Sequence, residues 1–340
     1  MTVTVSHPPL LIWYARCPTL TALGLVANRG VLQREFLREN VALVSVRENS
    51  TPAVRQGHLD HSLSNLVREA DAATALWAYG RNGRSRLLAL GAAYHDVIVA
   101  APERSPLREL KDLVGRRLSV PREAGPFSPA GVRALRGWQT ILAFAGIAHK
   151  DVELTPVAAD HPGAPFGDIA RRDVESLLSQ NSDAALLFGA KGVELARTAG
   201  LRIVHRFDAR RIHDDPRLEG LIEQRALSVD ADLPAAHPRI VARIEARLKA
   251  AADFAQRFPR EALRQAAYEC RGEVSDVVAT HGGLLAQSAR LDLDETSWAR
   301  LDGLKQWLAA RGKIPDPLDL SLWVGDDAAK RHNSYTMSLD

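Results

Sequence analysis

The sequence predicts an α/β protein with mainly parallel sheets and a helical C-terminal tail. Three observations carry this. Short apolar runs alternate with helix-spaced segments as far as residue 207, the order that packs helices on strands. From about residue 234 the chain reads as helix almost throughout, with breaks at Pro259, Gly272, Gly282-Gly283 and Pro315/Pro317. Its 340 residues exceed what one hydrophobic core organises, so two lobes are expected.

In order along the chain, "LLIWYA" (10–15) is a buried strand that runs into Cys17-Pro18. Leu20, Leu23 and Val26 or Ala27 then recur at helical spacing, with Pro18 suited to the first turn and Gly30 to the stop. "VALVSV" (41–46) is a second strand, and "STPAVRQGHLDHS" (50–62) a polar loop with two histidines. "LVREADAATALWAYG" (66–80) reads as a helix, and 85–100 as two strands. A short helix, a Gly-centred turn and a strand follow over 105–122. Then come a helix at 131–147, a strand at 151–157, a helix and buried strand over 168–190, and a strand at 201–207. Residues 161–168 and 210–220 are the expected flexible segments. In the tail, Ile240, Ile244 and Leu248, with Phe254 and Phe258, set one apolar face.

Composition narrows the function classes. The chain is 46% hydrophobic and 25% charged, with no long apolar stretch, which describes a folded protein that does not insert in a membrane. Its 44 basic and 41 acidic residues give a net charge of +3 without a basic block, which argues against nucleic acid as a partner. The two cysteines have no metal or redox spacing, and the first residues lack a basic segment and a long apolar core. A cytoplasmic monomer that begins near Met1 is expected. No glycine-rich phosphate loop or dinucleotide fingerprint occurs, so no cofactor is expected.

Cys17 is the residue to explain. With Pro18 in the first helical position it takes the N-cap, where unpaired N–H groups and the helix dipole favour a thiolate. The plain alternative is packing, since cysteine is among the most buried residues; Cys270 is read that way. His58 and His61 form His-x-x-His. They are solvated loop residues, a metal pair lacking a third ligand, or a substrate-binding and proton-handling pair with a pKa near working pH. Arg68 is either a surface residue or a planar fork for a two-oxygen anion. Glu69 and Asp71 are favourable charges in a first helical turn. Trp13, Tyr14, Trp77, Tyr79 and Trp138 are candidates for an aromatic pocket wall or for core.

"SPLRELKDLVGRRLSVPR" (105–122), followed by "ALSVDADLPAAHPRIVARIEARLKAAADFAQRFPREALRQAA" (226–267), resembles the two-lobed type II periplasmic-binding-protein fold of sulfonate and thiamine-precursor binding proteins. The resemblance implies one lobe from 1–97 plus 212–340, a second from 98–211, and a ligand cleft between them. Within that class, a narrower match rests on Cys17-Pro18 after a strand, His58 in "GHLDH", Arg68, "GRSRLLAL" (83–90) and "LKQWLAARGKIPDPLDLSLW" (304–323). These resemble the 2'-hydroxybiphenyl-2-sulfinate desulfinase family. That implies a carbon–sulfur hydrolase without a cofactor or metal, acting on an aromatic sulfinate or related organosulfur anion and releasing sulfite. Cys17, His58 and Arg68 would be catalytic. Ala70 (through its N–H), His61, Trp77 and Trp138 would contact substrate. The family's Arg-x-Gly-Gly is here Arg68-Glu69-Ala70-Asp71. The alternative on the same fold is a transporter-type solute-binding protein that captures a sulfonate-like anion without catalysis.

Overall fold

The computed structural model describes residues 8–48, 51–122, 126–158 and 169–324. Its strands are β1 (Leu10–Arg16), β2 (Val41–Ser45), β3 (Leu66–Asp71), β4 (Ser85–Ala93), β5 (Val97–Pro102), β6 (Arg117–Arg122), β7 (Glu153–Ala158), β8 (Ala185–Phe188), β9 (Leu201–Phe207) and β10 (Glu223–Asp230). The helices before the tail are α1 (Ala22–Asn28), α2 (Val31–Glu35), α3 (Pro52–Leu59), α4 (Ala72–Asn82), α5 (Pro129–Ala145), α6 (Ile169–Leu178), α7 (Gly189–Thr198) and α8 (Ala209–Asp214). The tail carries α9 (Leu233–Ala236), α10 (Pro238–Lys249), α11 (Ala251–Arg257), α12 (Pro259–Cys270), α13 (Val274–His281) and α14 (Glu295–Ala309).

One five-stranded sheet has the order β2-β1-β3-β10-β4. A second group joins β8-β5-β9 to the pair β6-β7 through a bridge between Leu118 and Ala184. The expectation of mainly parallel sheets does not hold. β1 runs parallel to β2 and β3, and β6 to β7, but the four pairings made by β10 and β5 are antiparallel. The reason is topological. β5 carries the chain out of the first sheet and β10 brings it back between β3 and β4, against their direction. β10 leaves little trace in the sequence because Glu223, Gln224, Arg225 and Ser228 are all buried within it.

Two helical expectations also change. Residues 66–71 form β3, not the start of a helix, and the helix begins at Ala72 with Asp71 as its cap. The loop expected at 50–62 is largely α3. The expected linker at 210–220 is ordered as α8 and a 3₁₀ turn over Pro216–Leu221, with Ile212, Leu218 and Leu221 buried. The expected flexible loop at 161–168 lies outside the described residues. In the tail, Ile244 and Leu248 are buried as expected, whereas Phe258 caps α11 and is exposed.

Each sheet group has its own core. Ile12, Leu23, Leu25, Leu227, Ile244 and Leu248 pack beneath the first. Val97, Val99, Trp138, Ile141, Leu186 and Phe207 pack in the second. Each large side chain buried this fully contributes about 1.5–3 kcal/mol. A charged cluster is embedded beside the first core. Glu269 is fully buried on α12 and accepts from Arg16 Nε at 2.7 Å, Asn28 Nδ2 at 2.5 Å and an Arg47 Nη1 proton. Arg47 also donates to the Glu269 carbonyl at 2.7 Å. Gly24 faces the cluster, where a Cβ would come within 3.0 Å of Glu269 Oε1 and 2.9 Å of Thr21 Oγ1. Arg16 is therefore committed to α12 and does not serve Cys17.

Candidate active site

The site begins where β1 ends. The Cys17 N–H donates to the Glu69 carbonyl at 3.2 Å, which sets the cysteine beside β3 just past the last paired residue. Cys17 is not a helix cap. The chain continues through Pro18 to Thr21, which is extended and whose hydroxyl accepts from Gly24 N–H at 2.9 Å. The free N–H groups of Ala22 and Leu23 donate to the Glu69 carboxylate at 3.3 and 2.7 Å. Glu69 thus neutralises the positive end of α1, and the helix is not available to hold a thiolate. The expected charge at a helix N-terminus is present, but it serves a different helix.

On β3, neighbouring side chains point to opposite faces. Glu69 lies on the α1 face, and Arg68 and Ala70 lie on the other. Arg68 is 1% exposed, and its Nη1 donates to the carbonyls of His58 and Leu59 at 2.6 and 2.7 Å. This pins the end of α3 over the sheet. Arg68 Nε and Nη2 are buried and have no hydrogen-bond partner. His58 and His61 are both buried rather than loop-exposed. His61, in the left-handed region at φ 59°, puts Nε2 3.1 Å from Ser228 Oγ on β10. Asp71 accepts from Thr74 N–H at 3.0 Å. The change from Gly-Gly to Ala70-Asp71 therefore supplies a helix cap, with that carboxylate turned into α4.

These neighbours set the protonation states. Burial, reinforced by Glu223, Asp71 and Glu69 against the opposing pull of Arg225, pushes the Cys17 thiol far above the ordinary range. Burial and then the Arg68 charge bring His58 down to about 4. His61 is also held well below its ordinary value, by burial first and then by the Arg68 charge. Arg68 falls to about 10 by burial and stays a cation at neutral pH. Of the readings the sequence left open, an activated thiolate at Cys17 and a His58 titrating near working pH give way to a thiol and a neutral imidazole.

The far wall comes from α5 and the two chain crossings. Arg133 lies 3.0 Å from Glu223 Oε2 and 2.5 Å from His95 Nε2, with its guanidinium over the Phe188 ring at 4.0 Å. Glu223 also takes a long contact from Thr19 Oγ1 at 3.5 Å. Arg225 is fully buried and donates to the carbonyls of Leu20 and Ser288, 3.8 Å from Glu69. It thereby braces the loop that carries Cys17. Trp77 stacks on Phe127, ring centres 5.2 Å apart, where α4 meets the approach to α5. Trp138 is instead core, its indole donating to the Ser119 carbonyl at 2.8 Å. Tyr79 stacks on Trp323. A small pocket of about 20 Å³ opens beside the loop, lined by Ala15, Arg16, Pro18, Val46, Arg47 and His58.

The structure thus brings Cys17, His58, Arg68, His61 and Ala70 into one neighbourhood, packs Trp77 in a core cluster against Phe127, and sends Trp138 elsewhere. Glu223, Arg225, Arg133 and His95 are additions that sequence reasoning missed. The available signal was the run of ionisable residues inside the strand at 223–230. Among the described residues, no group of His, Cys, Asp and Glu is arranged to hold a metal ion, and no helix is long and apolar enough to cross a membrane.

The architecture is the two-lobed fold of periplasmic binding proteins. The chain is similar to the desulfurization enzyme DSZB, with a TM-score of 0.74 and 21% identity over 96% of this chain and 99% of that one. A serine-for-cysteine mutant of DSZB in complex with biphenyl-2-sulfinic acid matches equally, at TM-score 0.74 and 20% identity over the same shares. The alkanesulfonate-binding protein SsuA from Xanthomonas axonopodis pv. citri, bound to MOPS, is similar at TM-score 0.64 and 14% identity over 94% and 99%. No family model and no curated protein matches the chain.

Proposed function

We propose that this chain is a cofactor-independent carbon–sulfur hydrolase acting on an aromatic sulfinate or a related organosulfur anion. The observation that carries the proposal is Arg68. Its buried guanidinium keeps two N–H groups without a partner beside Cys17, as a two-oxygen head group requires. The likeness to DSZB, which has been solved with a sulfinic acid, supports the reading. Residues 1–97 and 212–340 form the lobe that carries Cys17 in this account, and 98–211 the lobe that closes over the ligand.

Arg68 Nε and Nη2 take the two sulfinate oxygens; the Ala70 N–H, expected to assist, lies in the plane of the sheet on the side of β10, so only the small Ala70 side chain shares the Arg68 face. Cys17, a thiol at neutral pH, donates its proton to the ring carbon bonded to sulfur. A ring π pair forms the new C–H bond, and the carbon–sulfur bond then breaks with its electron pair returning to the ring, leaving the arene, sulfur dioxide and a thiolate. Water adds to the sulfur dioxide to give bisulfite and one proton, which restores the thiol. The net change is sulfinate plus water to arene plus bisulfite. Neutral His58 orients the thiol and the head group.

Sulfite release from benzenesulfinate and biphenyl-2-sulfinate tests this reading. Wild type is expected to release sulfite, and Cys17→Ser to lose about 10²–10⁴ in kcat, the usual worth of a positioned acid. Retention of wild-type rate in Cys17→Ser contradicts the mechanism. Saturable binding of a sulfonate by calorimetry, with no sulfite from any sulfinate, favours the carrier reading suggested by the SsuA likeness. Cell fractionation separates the two as well: the enzyme reading goes with a cytoplasmic protein, the carrier reading with a periplasmic one.

A further inference from the structure

Glu223 and Arg133 stand out because each is drawn from a different part of the fold toward the same spot. Glu223 opens β10, where the chain returns to the five-stranded sheet. It is nearly buried, and its Oε1 reaches Thr19 in the Cys17 loop while Oε2 pairs with Arg133 at 3.0 Å. Arg133 projects from α5, which packs on β6 and β8 in the other sheet group. Its side chain is 29% exposed, so it keeps access to solvent while it pairs with Glu223. It also reaches His95, at the outgoing crossing between β4 and β5. His95 is held down at about 3 by burial and the Arg133 charge, so it remains a neutral acceptor for that cation. Arg136 lies one turn further along α5, and its field reaches Asp71. Cations from one lobe therefore face carboxylates from the other across the site.

We propose that Arg133 is an anion-recognition residue held by Glu223, so that an acid head group entering the cleft exchanges with the Glu223 carboxylate for the same guanidinium. The ion pair draws α5 onto both crossings and closes the lobes. The incoming anion replaces one carboxylate partner by another, so closure survives the exchange while Glu223 is released toward the Cys17 loop. The device selects for anionic over neutral ligands, because only an anion compensates Arg133 once Glu223 is displaced. The identity of the anion as a sulfinate rests on the function proposed above; the ion-pair gate does not.

The test has a ligand-free arm and a ligand arm. Without ligand, small-angle scattering of wild type is expected to give a radius of gyration near the ~20 Å of a compact chain of this length. Glu223→Gln and Arg133→Gln are expected to give larger values, and three equal radii overturn the gate. With benzenesulfinate in calorimetry, Glu223→Gln is expected to bind about tenfold more tightly and Arg133→Gln about tenfold more weakly, a step of one decade in Kd each. Unchanged or weaker binding in Glu223→Gln overturns the exchange. If wild type binds no benzenesulfinate, the sulfinate reading fails and the scattering arm still decides the gate. If Glu223→Gln does not fold, the more exposed Arg133→Gln carries both arms: an unchanged radius, or unchanged affinity, overturns the proposal.

Discussion

Arg68→Gln is expected to lower kcat/KM for a sulfinate by about 10²–10³, because a buried charged partner of an anionic head group is worth 2–5 kcal/mol when removed. The substitution removes the two free N–H groups and the charge together. It also releases the carbonyls of His58 and Leu59, which Arg68 holds at 2.6 and 2.7 Å. A second readout separates head-group binding from general loosening. The Arg68 charge helps to hold His58 at about 4. Losing that charge raises the His58 pKa toward its ordinary value, which an NMR titration of the imidazole reads directly. An unshifted His58 with full activity would mean that Arg68 is only a strut.

The largest stability effect is expected at Glu269. Glu269→Ala strips the counter-ion from Arg16 and Arg47, whose side chains are nearly buried around it. Breaking a buried pair by deleting one partner costs roughly 3–5 kcal/mol, since the remaining charge stays desolvated. Urea unfolding is expected to show that loss, and a large part of it in Glu269→Gln, which still accepts from Arg16 but brings no counter-charge to Arg16 and Arg47. A loss under 1 kcal/mol in Glu269→Ala would show that apolar packing alone seats α12 on β1.

The same contrast explains what the sequence made legible. β1, β2, β4 and β5 are apolar runs with turn signals at their ends, and their placement follows from pattern alone. β3 hides because Arg68 and Glu69, adjacent and both buried, read as the polar face of a helix. Their burial is affordable only because backbone carbonyls hold the arginine and the α1 N–H groups hold the glutamate, and neither partner is near in sequence. β10 hides for the same reason. Cys17, His58 and Arg68 were found by their order along the chain, and the structure gathers them. Their charge states were not legible. They depend first on burial and, for Cys17, also on Glu223 and Arg225, roughly two hundred residues downstream, and on Glu69 filling the helix terminus that Cys17 was expected to cap.

Whether Cys17 is a thiol at neutral pH decides the site's chemistry, and a pH series of iodoacetamide alkylation, followed on the Cys17 peptide, measures it. Burial and the surrounding carboxylates favour the neutral thiol, so its folded pKa lies above its unfolded one. Alkylation is therefore expected to stay slow at pH 7 and to be still rising at pH 10, with benzenesulfinate protecting the residue throughout. Fast alkylation levelling off below pH 7, or alkylation indifferent to benzenesulfinate, would contradict a protonated Cys17 working beside an Arg68-bound anion.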